Sequence, residues 1–174
     1  MPRGLRYVLQ YHLERPLQIE SVLDTPMLFG KLIGVGQASR AYSHGSNALA
    51  ARGARVAADL SGGLTLLAVA GIYLLIWRRR ARVCAATPEQ AIAALALILA
   101  VMTFGMVLSP QYFIWVLRAW ALVAARDYVL AVLGGLTLLL TGIEFPKLCW
   151  NMLSMQHGPL AVLTVRNVML VATF

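Results

Sequence analysis

The chain has 174 residues, 60% of them apolar and only 13% charged, with a mean hydropathy of +0.73. Soluble domains run at about half apolar and a quarter charged, so the composition excludes an ordinary soluble domain and points to a membrane protein. The net charge of +8 does not read as a nucleic-acid footprint, because the cations sit beside apolar runs, where they mark topology.

At roughly 20 residues per span, this length suits four to five transmembrane helices. The expected fold is an all-α membrane bundle over 57–174, preceded by an extracytoplasmic, interfacial segment over 1–56. The opening MPRGLRYVLQYHLERP lacks the apolar run of a signal peptide. It reads like the middle of something longer, as in a truncated or mis-started chain.

The stretch PLQIESVLD predicts a short amphipathic helix. At 100° per residue Ile19, Val22 and Leu23 share one arc, and Gln18, Glu20, Ser21 and Asp24 share the other. Leu17 breaks the pattern by falling in the polar arc. Pro16 suits the first helical position. In TPMLFGKLIGVGQA the glycines at 30, 34 and 36 weaken any helix, and SHGSNALAARG reads as a loop.

Apolar spans are expected at about 58–77, 90–108, 111–125, 128–145 and 159–174. Before the second, Thr87, Pro88 and Gln90 form a capping-box pattern. Arg78, Arg79, Arg80 and Arg82 follow the first span and should stay cytoplasmic. That puts 1–56, Ser109–Gln111 and the loop from Glu144 to His157 outside, and Arg126 inside. Against this orientation, the first 56 residues carry six Arg and one Lys. Cys84 and Cys149 have no CxxC partner and no nearby His, so they read as two unpaired thiols near helix ends.

Three stretches are unusually polar for such a chain. In YHLERPLQIES, His12 and Arg15 could hold a phosphate, Arg being the better bidentate donor; an Arg15 ion pair with Glu14 or Glu20 is the alternative. In VLSPQYFIWVL, Ser109, Gln111 and Tyr112 flank Pro110. Spacing alone favours an interfacial turn with aromatic anchors over a turn lining a lipid-facing groove. In the last span, Arg166 and Asn167 interrupt an apolar run. A charge there is costly, so Arg166 should face the bundle interior, with Glu144 as partner. Arg118 reads as a snorkelling side chain. Glu14, Glu20, Asp24 and Glu144 are the acidic groups on the outer side, and none is marked as a base by a neighbour. Nucleophile motifs, metal-ligand spacings and phosphate loops are not found.

Taken together, these stretches resemble a known family. YHLERPLQIES is similar to the YH-x-x-RGLQIES segment of bacterial GT-C membrane mannosyltransferases that use polyprenyl-phosphate-mannose (glycosyltransferase family 87). LSPQYFIWVL is similar to that family's SPQYLLWLLP. TGIEFP followed by RNVMLV resembles its last helices, more weakly. Pro16 stands where the family has Gly, and Arg118 where it tends to have Pro. The family's catalytic acid lies in an earlier loop that nothing here matches, so the chain resembles only the C-terminal portion.

The resemblance implies a multi-pass protein of the bacterial plasma membrane. It would move mannose or another hexose from a polyprenyl-phosphate donor to a lipid or glycan acceptor, and on its own would be inactive. Residues Tyr11 to Ser21 would line the donor entrance, with His12 and Arg15 on the phosphate and Gln18 and Glu20 towards sugar or acceptor. Ser21, Ser109, Gln111 and Tyr112 complete the implied binding set. Membrane lipids are the partners, no cofactor is implied with certainty, and a divalent cation is left open. The competing expectations are a non-catalytic truncated membrane protein and a small transporter using Arg166 and Glu144 as pathway charges.

Overall fold

A computed structural model describes residues 3–174; the side chains of Arg3, Leu5, Leu9, His12 and Leu13 lie outside the described residues. The chain is mostly helical. It opens with α1 (Arg3–Glu14) and passes through an extended segment to a short 3-10 turn, Val22–Asp24, and α2 (Thr25–Leu32).

The helix expected from Pro16 is not formed. Pro16 has no N–H to donate, and the next residues find partners across space instead. Gln18 N–H donates to Met106 O at 3.0 Å, Ile19 N–H to Asn47 O at 3.0 Å, and Leu49 N–H to Leu17 O at 3.1 Å. Leu17, the misfit on the helical arc, is buried together with Ile19, and the two obey the period of a strand. Only Val22 to Asp24 of that stretch turn helically. In contrast, TPMLFGKL does form a helix despite Gly30, with Pro26 in its first turn.

The stretch SHGSNALAARG, expected as a loop, instead supplies the turn and second strand of a β-hairpin whose first strand precedes it. Strand β1 (Ala38–Ser43) pairs antiparallel with β2 (Ser46–Ala51). The link is His44 and Gly45, with φ of 51° and 69°, the two positive φ values of a type I′ turn that matches strand twist. Tyr11 Oη donates to His44 O at 2.8 Å and ties α1 to this turn.

The helical bundle follows. It comprises α3 (Ala54–Arg78), α4 (Arg80–Ala85), α5 (Thr87–Phe104), a 3-10 turn over Pro110–Tyr112, α6 (Phe113–Ala124), α7 (Tyr128–Ile143), a distorted turn over Glu144–Leu148, α8 (Cys149–Leu153) and α9 (His157–Thr173). α5 begins at Thr87 with Ala86 before it, and no side chain caps it, so Thr87 is the first helical residue rather than the expected N-cap.

Among the described residues, three helical stretches are long and apolar enough to cross a membrane: α3, α5 and the run Tyr128–Leu153. The segments expected at 111–125 and 159–174 are helices of 12 and 17 residues. At 1.5 Å per residue these reach roughly 18 and 25 Å, against about 30 Å of hydrocarbon. α3 has little of its surface covered: Leu66 and Leu67 are 72% and 73% exposed. An apolar helix so bare in a folded chain is what a lipid environment accommodates.

Ser61 Oγ donates to Phe104 O at 2.6 Å, which pins the hairpin end of α3 to the far end of α5. Thr87 and Pro88 share a cleft with Ala125 and Arg126, so α6 ends where α5 begins. Arg78 to Arg82 and Arg126 therefore lie at the end of the bundle opposite the hairpin. One core joins Leu95, Leu99 and Met102 of α5 to Phe113, Val116 and Trp120 of α6 and Leu170 of α9. A second, under the hairpin, joins Ile19, Leu28, Leu49, Met152, Leu160 and Leu163.

Candidate functional site

Two of the three polar stretches meet inside the molecule. Arg166, fully buried in α9, has its Nε 3.3 Å from Glu144 Oε2 at the end of α7, and Glu144 is 1% exposed. The contact is an ion pair by distance without the alignment of a hydrogen bond. Arg166 Nη2 donates to Glu20 O at 3.3 Å, and its guanidinium lies 5.8 Å from the centre of the Phe113 ring. Asn167 Nδ2 donates to Ser21 O at 3.2 Å and to Thr25 Oγ1 at 3.0 Å. Ser21 Oγ in turn donates to Gly105 O at 2.9 Å.

The arrangement has a clear structural role. Within segment 16–21 only Gln18 O is satisfied locally, by Ser21 N–H at 2.9 Å, and the buried carbonyls of Glu20 and Ser21 need partners from elsewhere. Arg166 and Asn167 supply the donors from the middle of α9. Glu20 Oε2 accepts from Gln18 Nε2 at 2.7 Å. Burial, and secondarily the Glu144 carboxylate, push the Glu20 carboxyl up to about 7, with Arg166 acting in the opposite sense. Asp24 is wholly buried with neither carboxylate oxygen hydrogen-bonded among the described residues, and burial pushes its pKa up to about 8. Among the described residues, no group of three or more His, Cys, Asp or Glu side chains is placed to hold a metal ion.

Arg15 stands apart from that junction. It lies at an apolar groove of about 510 Å³ whose wall is Ile98 and Met102 of α5, Met106 of the following loop, and Tyr112 and Trp115. The Tyr112 and Trp115 rings stack at 4.8 Å between centroids and 16° between planes. No ion pair joins Arg15 to Glu14 or Glu20 among the described residues: Glu14 accepts from Gln10 at 2.8 Å, and Glu20 from Gln18. Arg15 Nε, although shielded from solvent, has no hydrogen-bond partner among the described residues. A half-buried guanidinium with donors to spare, at one side of an apolar trough, is a suitable receptor for an anion carried on a hydrocarbon chain.

The implied binding set thus divides into three. Arg15 and Tyr112 share the groove. Gln18, Glu20 and Ser21 belong to the buried junction with Glu144, Arg166 and Asn167. Ser109 and Gln111 line a separate trough of about 460 Å³ with Phe113, Leu138 and Phe145, because the tight turn at Pro110–Tyr112 sends neighbouring side chains to opposite sides. The side chain of His12 lies outside the described residues.

Trp115, Met106 and Gly105 were not singled out by sequence, yet they build the groove. The available signal was the FGMVLSP stretch, where glycine and proline enclose a short segment that cannot be regular helix. Gly105 is needed there, since a Cβ at this position would meet Val101 O at 2.5 Å. Comparison with protein-family models, with characterised proteins and with solved structures gave no match.

Proposed function

We propose that this chain is an integral membrane protein of four to five spans that binds a polyprenyl-phosphate-linked sugar, as the donor-binding part of a GT-C glycosyltransferase. The observation that carries the reading is Arg15 at the edge of the apolar groove formed by α5, the Gly105–Val107 loop and the Tyr112–Trp115 stack. A lipid phosphate has its charge at the membrane surface and its tail in hydrocarbon. Its receptor therefore needs a cation next to an apolar trough, and the trough must open towards lipid.

On this reading the Arg15 guanidinium pairs with the phosphate, and the first isoprene units lie along Ile98 and Met102. The Tyr112–Trp115 pair offers an aromatic edge to the sugar. A volume of about 510 Å³ falls within the range of about 300–1,000 Å³ usual for small-molecule sites, so only the head and the first units of a long chain are enclosed. The Glu20–Glu144–Arg166–Asn167 junction holds the segment that carries Arg15 and does not itself touch the donor. A base that activates an acceptor hydroxyl is not assigned to a residue of this chain. Mannose transfer to a lipid or glycan in the bacterial plasma membrane is the proposed setting.

The transporter alternative draws less support. Thr137, Thr141, Thr164 and Thr173 each donate to the carbonyl four residues earlier on their own helix, and do not line a polar path. A polyprenyl phosphate bearing a diazirine on its first isoprene unit tests the donor reading. Crosslinks should fall on residues 97–107 and 112–115 and be competed by polyprenyl phosphate but not by polyprenol. Crosslinks spread along α3, or competed equally by the alcohol, would contradict it.

A further inference from the structure

A second cleft, with different chemistry, lies between the hairpin, α2 and the start of α9, at the end of the bundle opposite Arg78–Arg82. It has a volume of about 840 Å³, and Lys31, Arg52 and His157 line it from three separate elements, together with Gln37 and Ser39. Its lining contains no carboxylate. Lys31 Nζ donates to Ala38 O at 3.0 Å, which fixes the ammonium over the cleft while leaving it two further donors. His157 is the first residue of α9, so the positive end of a 17-residue helix adds to the field there. None of the three side chains makes an ion pair among the described residues.

We infer that this cleft binds a phosphate group. Lys31 and Arg52 line the cleft with no carboxylate in its lining, so an anion placed there is attracted by both cations while accepting hydrogen bonds. Phosphate fits better than a carboxylate, because donors approaching from three elements match an anion with several oxygens rather than a planar fork. The cleft exceeds one phosphate in volume, so the group is carried on something larger, either a water-soluble phosphoester or a lipid headgroup at the membrane surface. The site is distinct from the Arg15 groove, and the inference does not depend on the donor reading.

The test uses the full chain in phosphatidylcholine nanodiscs, titrated with inorganic phosphate and then pyrophosphate while the His157 ring is followed by NMR. The signal is assigned by its loss in His157→Gln. A saturable shift is expected, tighter for pyrophosphate. Lys31→Gln and Arg52→Gln should each weaken binding about tenfold, the equivalent of one charged hydrogen bond. Arg40→Gln, an exposed arginine of β1 that does not line the cleft, should leave it unchanged. Repeating the titration in discs containing phosphatidic acid separates the sources. A His157 signal already shifted and unresponsive to phosphate assigns the site to a headgroup, and an unaltered titration assigns it to a soluble phosphate. A shift that does not saturate, or one equally strong in both cleft variants, would overturn the inference.

Discussion

Arg166, in the middle of α9, lies 3.3 Å from Glu144 at the end of α7, and both are cut off from solvent. The same guanidinium reaches the backbone carbonyl of Glu20, 146 residues earlier in the chain. One side chain thus links the N-terminal segment to the last two long helices.

Breaking one half of a buried ion pair strands the other charge and costs about 3–5 kcal/mol, whereas replacing both partners by apolar groups is often neutral. Arg166→Met should therefore lower the unfolding temperature strongly in detergent. Glu144→Leu combined with Arg166→Met should recover much of the loss, though not all, because Glu20 O then lacks its donor. Equal destabilisation by the single and the double variant would argue that the ion pair itself contributes little.

Asp24 supplies a pH prediction. Its pKa rises from 3.8 to about 8 on folding. Below about pH 4 both states hold the proton. Between about 4 and 8 the unfolded chain releases it and the folded chain keeps it, so stability falls as pH rises and levels off above 8. Glu20, raised from 4.5 to about 7, acts with the same sign over its own window. Asp24→Asn should make the unfolding temperature flatter between pH 5 and 8, with its advantage over the native chain greatest at pH 8. Parallel curves for the two proteins would show that Asp24 ionises freely in the folded state.

Gly134 is needed because the buried Trp120 ring lies directly on α7. A Cβ at 134 would fall 1.5 Å from Trp120 Cζ2, and the ring is tethered by Trp120 Nε1 donating to Leu130 O at 3.1 Å. Gly134→Ala should cost about 1–3 kcal/mol through overpacking, or prevent folding. Gly135→Ala next to it meets nothing within 4 Å and should be neutral or slightly stabilising, since alanine is the better helix former. Thermal unfolding of the two variants side by side checks this contrast.

The sidedness of the bundle gives a fourth expectation. Cys84 is free and exposed beyond the Arg78–Arg82 cluster, and Ser109 lies in the turn at the other end. In a Cys149→Ser background, a membrane-impermeant maleimide added to intact cells should label Ser109→Cys and spare Cys84. Labelling of Cys84 alone would invert the orientation, and with it the side on which Arg15 meets lipid.

The outline of the bundle and the partner of Arg166 were legible because a charge inside an apolar run has few places to go. Long apolar runs bounded by arginines likewise left little choice of element. The hairpin was not legible. Its strands are built from alanine and serine rather than β-branched residues, and a His-Gly turn is a weaker signal than Asn-Gly. The extended course of Pro16–Glu20 was hidden too, because its partners, Met106 O and the backbone of Asn47 and Leu49, are remote in sequence. Leu17 was the one clue, as the apolar residue that no helical face could absorb. Proximity along the chain also misled: Ser109 and Tyr112 are three residues apart and line different grooves. Arg15 and Tyr112, 97 positions apart, line the same one.

The central claim, that Arg15 is the phosphate receptor of a lipid groove, is tested most directly by the affinity of polyprenyl phosphate for the chain in nanodiscs. The comparison is between the native protein, Arg15→Lys and Arg15→Gln, with polyprenol as the uncharged control. A bidentate guanidinium contact is one that lysine cannot reproduce. Losing a charged hydrogen bond costs about 1.5–3 kcal/mol, or roughly ten- to hundredfold in affinity. Both variants should therefore bind the phosphate at least about tenfold more weakly while binding polyprenol as the native chain does. Binding within twofold of native in Arg15→Gln would remove Arg15 from the site and leave the groove as an ordinary lipid-facing crevice.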